Sequence, residues 1–153
     1  MCSYDYEPRR YNEEKLETIE EVASIRETAR KMKEKNGSSV VVVDANSRLQ
    51  GLVTERDLAR KVCINNVPAD AVTNKEIMSS PLITISADSS PSVAADMMLQ
   101  HNIRHLLVVD KNNVTNTRAI GMITPLDFTR YQEFTNDNTD QDAIEKILEY
   151  YRG

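Results

Sequence analysis

The sequence predicts an α/β (α+β) protein of two tandem β-α-β-β-α repeats packed sheet to sheet about a pseudo-twofold axis, with a further helix at the C-terminal end. Three observations carry that expectation. Residues 51–60, GLVTERDLAR, return 70 positions later as residues 121–130, GMITPLDFTR, keeping Gly51/Gly121, Thr54/Thr124, Asp57/Asp127 and Arg60/Arg130. A shift of 66 positions lays Ser24 on Ser90, Ala29 on Ala95, Met32 on Met98, Asn36 on Asn102 and VVVVD (40–44) on LLVVD (106–110). Short β-branched runs alternate with segments of helical periodicity, and units of roughly 60 residues are marginal alone, so two halves of a repeat are expected to bury their strands against each other.

Composition narrows the class. The chain is 40% hydrophobic and 28% charged, as suits a globular protein, and no apolar run approaches the ~20 residues of a membrane span. The opening MCSYDYEPRR lacks the apolar stretch of a secretory signal, so a cytoplasmic location is expected. Lys plus Arg number 19 against 24 Asp plus Glu, a net charge of −5, which argues against nucleic acid and anionic membrane as partners. Cys2 and Cys63 form no paired motif, so neither a disulfide framework nor a zinc site is expected, and Cys63 is read as a buried small apolar residue.

Taken in order, residues 1–11 are a polar arm containing Tyr4, Tyr6 and Tyr11, interrupted by Pro8. The first repeat is expected over 12–66. A short strand is placed around Leu16 to Glu20, and a helix begins after Ser24 as cap, with Val22, Ile25, Ala29 and Met32 at helical spacing. Lys31, Lys33 and Lys35 suit the negative end of that helix dipole better than a phosphate site, and Asn36 and Gly37 stop the helix. Val40 to Val43 read as a strand buried on both faces, the polar residues 44–50 as a turn, and GLVT as a second strand running into a helix that ends near Asn65 and Asn66.

A linker over 67–75 then leads to the second repeat, 76–134, with a helical turn somewhere in 70–77 and SPLITIS as the returning strand. The offset grows from 66 to 70 because the turn at 111–119 is longer than its counterpart, as surface loops allow. Residues 135–153 comprise the rest of a polar linker, TNDNTDQD, and a helix whose Ala143, Ile144, Ile147, Leu148 and Tyr151 make an apolar stripe in need of a docking surface.

The duplicated G-hydrophobic-x-T-x-x-D signature, each copy preceded by a VVVVD- or LLVVD-type strand, resembles a tandem pair of CBS domains, a Bateman module, over residues 12 to 134. The resemblance implies a regulatory, ligand-sensing module and not an enzyme. It would bind AMP, ADP or ATP, with or without Mg, or S-adenosylmethionine, in clefts between the repeats. Occupancy would be passed to a regulated protein or to a homodimer. A purely structural dimerisation or interaction module without a small-molecule ligand is the alternative reading.

The retained residues have chemistry that fits both. A Thr before a helix with an Asp three residues on is a capping arrangement, and Pro125 at the first helical position strengthens it in the second copy. The same helix start presents N–H groups to a phosphate, the hydroxyl can donate to it, and a carboxylate can accept both hydroxyls of a ribose. By resemblance, one cleft would combine Thr54 and Asp57 with Ser80, Thr84, Ile103, Arg104 and His105, and the other Thr124 and Asp127 with Thr18, Gly37, Ser38 and Ser39. Arg104 and His105 replace the uncharged Ser38 and Ser39, so the first cleft is expected to prefer more phosphate charge and the second a less charged adenosyl ligand or none. No Ser/His or Cys/His constellation, Walker loop or metal spacing points to catalysis, and His101 and His105 straddle the expected helix end near Asn102.

Overall fold

A computed structural model describes residues 16–110, 118–131 and 138–152. The tyrosines expected on the N-terminal arm, the turn after Asp110 and residues 132–137, which include the start of the expected polar linker, lie outside the described residues, as do the side chains of Arg130, Tyr131, residues 138–140 and Ala143; the rest of that linker, 138–142, is corrected to the opening of the last helix. Contacts divide the chain into two compact units, one of Lys15–Leu82 and one that contains Ile83–Gly153.

The first unit contains β1 (Thr18–Glu20), α1 (Ile25–Lys35), β2 (Ser39–Val43), β3 (Leu49–Thr54), α2 (Glu55–Asp57) continuing as a π-helical stretch (Leu58–Cys63), and α3 (Asn74–Ile77). The second contains β4 (Thr84–Ser86), α4 (Pro91–His101), β5 (Leu106–Asp110), β6 (Arg118–Ile123), α5 (Pro125–Tyr131) and α6 (Asn138–Arg152). Each holds a three-stranded sheet, in the orders β1-β2-β3 and β4-β5-β6, the first pair parallel and the second antiparallel. The repeat therefore extends to register: both central strands shift at the same place, between Val42/Val43 and between Val108/Val109, just past the pairs Val42–Gly51 and Val108–Gly121.

The valine run makes β2 because β-branched side chains pack well on a pleated, doubly buried strand. Val40, Val41 and Val42 are all buried, and Leu106 to Val109 repeat this in β5. Ile25, Met32, Val40, Val42, Val53, Val62 and Ile77 form the first core, and Ile85, Ala94, Ala95, Met98, Leu106, Val108 and Phe128 join Ile144 and Ile147 in the second. Helix α6 thus docks on its own unit, with Ile144 and Ile147 fully buried and Leu148 and Tyr151 packed against the same cluster.

Several expectations are corrected. Helix α1 starts at Ile25 after the Ser24 cap, so Val22 precedes it and is 68% exposed. The buried stripe is Ile25, Thr28 and Met32, which leaves Ala29 one step off the inward face and exposed. The left-handed residue ending α1 is Asn36 (φ 51°), repeated by Asn102 (φ 51°) after α4, whereas Gly37 has no positive φ. Strand β4 is shorter than SPLITIS, and the residue before that run, Ser79, bridges to Leu52 of β3. Cys63 is exposed, Val62 being the residue of the π-helical stretch that turns inward.

Residues 67–78 belong to the first unit. Val67, Ala69, Val72 and Met78 pack against its core, and the carbonyls of Val72 and Ala69 accept from the amides of Ile25 (2.9 Å) and Arg26 (3.1 Å) at the start of α1. Asn74, wholly buried, accepts from the Thr28 hydroxyl at 2.6 Å and donates to the Glu20 carbonyl at 2.9 Å. Those bonds explain why a polar Thr28 occupies the inward face of α1.

Candidate functional site

Both copies of the Thr-x-x-Asp turn sit where an antiparallel strand ends and a helix begins. In the first, Thr54 is extended (φ −116°, ψ 163°) and its hydroxyl accepts from the Asp57 amide at 3.3 Å. Asp57 Oδ2 accepts in return from the Thr54 amide and hydroxyl, both at 2.9 Å. In the second, Asp127 Oδ2 accepts from the Thr124 amide at 2.7 Å and its hydroxyl at 3.0 Å. Capping is therefore a role of both pairs, as a short polar side chain before a helix start should give.

The surroundings of the two carboxylates differ. Asp57 is only 8% exposed, and its Oδ1 accepts from Lys61 Nζ at 2.9 Å, one helical turn on. Lys61 Nζ also donates to the Ile77 carbonyl at 2.6 Å. Asp127 is half-buried and makes no ion pair with another described residue. Instead it borders a cleft of about 470 Å³, counting the part open to solvent, floored by Ile85, Ala94, Val108, Ile123 and Phe128 and rimmed by Ser86, Ser89 and Ser90.

The sheet register gathers the remaining predicted residues within each unit. Ser39 pairs with Thr54, the Ser38 carbonyl accepts from the Glu55 amide at 3.0 Å, and Gly37 leads into the same strand, so these three adjoin the first Thr–Asp turn. Thr18, exposed, pairs with Val41 one strand further on, and its carbonyl accepts from Lys31. Ser80 is exposed beside the Leu52–Ser79 bridge. In the second unit Thr84 pairs with Leu107, and Leu106 with Ile123, which sets His105 at the same end of the sheet as Thr124. Ile103 is half-buried against the core.

Arg104 is exposed, and its guanidinium carbon lies 4.9 Å from the centre of the Tyr151 ring. The Tyr151 hydroxyl donates to the Ile103 carbonyl, and the Tyr150 hydroxyl donates to Asn102 Oδ1 at 2.9 Å. Helix α6 therefore seats its last turn on the residues that start β5. Sequence reasoning missed three features here: this tyrosine pair, the serine-rimmed cleft beside Asp127, and Lys61. The last could have been read from the i,i+4 spacing of an acid and a lysine on one helix face.

The family model of the CBS domain matches residues 9–63 and again residues 75–133. An uncharacterized protein of Methanopyrus kandleri is 35% identical over 108 residues, which are 71% of this chain and 53% of that protein. A homoserine O-acetyltransferase of Methanohalobium evestigatum is 34% identical over 120 residues, 78% of this chain and 23% of that enzyme. The chain thus spans about half the length of the first relative (53%) and under a quarter of the second (23%). Among solved structures, a CBS domain protein from Pyrobaculum aerophilum complexed with AMP superimposes with a TM-score of 0.68 at 25% identity, covering 89% of this chain and 98% of that one.

Proposed function

The chain belongs to the CBS domain family and carries the domain twice, and from that premise we propose that it is a regulatory module sensing an adenosine-containing ligand. AMP leads the candidates, with ADP, ATP (with or without Mg) and S-adenosylmethionine behind it. The observation that carries this reading is the AMP complex of the Pyrobaculum aerophilum protein, matched over nearly its whole length. The geometry supports it: each repeat places a hydroxyl and a carboxylate together at a helix start, the donor and acceptor that a phosphate and a ribose diol need.

In this reading Thr54 and Asp57 work with Ser80, Thr84, Ile103, Arg104 and His105, and Thr124 and Asp127 work with Thr18, Gly37, Ser38 and Ser39. Ligand occupancy favours one conformation and so changes affinity for a homodimer partner or a regulated protein. Calorimetry with AMP, ADP, ATP and S-adenosylmethionine tests it. Saturable binding is expected for the native chain, with at least a tenfold loss for Asp57→Ala; absence of binding at millimolar ligand overturns the reading.

A second reading, a structural interaction module without a small ligand, is favoured by the capping bonds already made by both Thr–Asp pairs. It predicts that Asp57→Ala and Asp127→Ala lower the melting temperature while nucleotides leave it unmoved. Ligand-induced thermal shift separates the two, because a ligand of the folded state stabilises in proportion to its occupancy.

A further inference from the structure

The Asp57 carboxylate is more heavily committed than a simple helix cap requires. Oδ2 accepts two hydrogen bonds from Thr54, at 2.9 Å each, and Oδ1 accepts one from Lys61 at 2.9 Å. A carboxylate offers about four acceptor sites, so one remains open, on Oδ1. A ribose diol brings two donors. One hydroxyl takes the open site; the other takes the site that the Thr54 hydroxyl vacates when it turns to donate to the ligand phosphate. Lys61 then has no need to leave.

Lys61 is also tied at its other side. Its ammonium donates to the Ile77 carbonyl at 2.6 Å, at the end of α3, and two residues on Ser79 pairs with Leu52 of β3 through mutual bonds of 2.9 and 3.1 Å. Side-chain exposure is 11% for Asp57 and 43% for Lys61, so the carboxylate is held in place largely out of water while the lysine bridges it to the following segment. The corresponding residue in the second repeat, 70 positions on, is Tyr131, which carries no ammonium.

We propose that Lys61 is a positioning residue for the ribose site of the first repeat: it fixes the plane of the Asp57 carboxylate for the diol and makes that plane depend on the segment that ends α3. The proposal rests on the reading of Asp57 as a ribose acceptor. Preorganised acceptors bind a diol better than a carboxylate free to rotate.

The test compares AMP with 2′-deoxy-AMP, which lacks one of the two diol hydroxyls, by calorimetry on the full chain. Native protein is expected to favour AMP by about tenfold or more. Lys61→Met should weaken AMP by about tenfold, leave 2′-deoxy-AMP nearly unchanged and so collapse the preference, while Lys61→Arg should restore most of it. If Lys61→Met does not fold, Lys61→Gln, which keeps a donor for the Ile77 carbonyl without the charge, serves the same comparison. A lower melting temperature with the AMP preference intact overturns the positioning role and leaves Lys61 a structural residue. Failure of the native chain to distinguish the two nucleotides overturns the ribose reading itself, and the proposal with it.

Discussion

Gly51 lies in β3 where the chain crosses over it, and a Cβ there would come 2.6 Å from the sulfur of Met78 and 2.9 Å from the Ser79 carbonyl oxygen. The thioether can swing aside, but the carbonyl is held by the Leu52 amide at 3.1 Å. Gly51→Ala is therefore expected to cost about 1–3 kcal/mol, read as a lower urea midpoint at unchanged slope. Space, not backbone freedom, is the reason for glycine at this position, since its φ is not positive. The repetition of Gly51 at Gly121 was visible in the sequence; what crosses over Gly51 was not. Thr54 and Asp57 were legible as a cap for a local reason, their spacing. Cys63 was misread because a π-helical stretch changes which residues face inward, and composition carries no sign of it.

At the scale of elements, helix starts were read well because their chemistry is local. The Ser24 amide, and then its hydroxyl, hold the Glu27 carboxyl below its ordinary value at the start of α1. Thr73 does the same for Glu76 at α3, again with the amide as the larger cause. A carboxyl lowered in the folded state stabilises it fully above the ordinary value of 4.5, and that contribution is lost as the pH falls below 4.5 through the folded value. Glu27→Gln should thus lower the melting temperature at pH 7, with the gap to the native chain closing as the pH falls toward 3. Thermal unfolding monitored by circular dichroism across that range checks it, and a constant gap would remove the cap from the account. Helix α4 has Val93 where α1 has Glu27, so its Ser90 cap, which accepts from the Val93 amide at 3.4 Å, has no such titration. The amphipathic stripe of α6 was equally plain, but its docking place was not. A period of 3.6 residues says that Ile144 and Ile147 face one way, not that Tyr151 will meet the start of β5.

For the molecule as a whole, the least legible part was the segment joining the repeats. Residues 67–75 read as a linker in the sequence, yet together with the three that follow they supply Val67, Val72, Ile77 and Met78 to the first core and are pinned by Asn74. Asn74→Ala removes both bonds, leaving the Thr28 hydroxyl only its longer bond to the Ser24 carbonyl (3.3 Å) and the Glu20 carbonyl only its bond from the Ala23 amide (3.1 Å). It is expected to cost about 1–3 kcal/mol in chemical denaturation, because two hydrogen bonds and the packing of a wholly buried side chain are lost together. An effect below about 0.5 kcal/mol, the scale of an ordinary surface change, would contradict that account. The sequence by itself determined the duplication, the strand and helix order, the caps and the CBS family, because hydrophobic period, turn chemistry and repetition are properties of neighbouring residues. Only the tertiary structure decided that Asn74 meets Thr28, that Lys61, already within helical reach of Asp57, also meets the Ile77 carbonyl, and that Tyr151 lies against Arg104. Each of these depends on steric fit and hydrogen-bond saturation between residues distant along the chain, which no local pattern records.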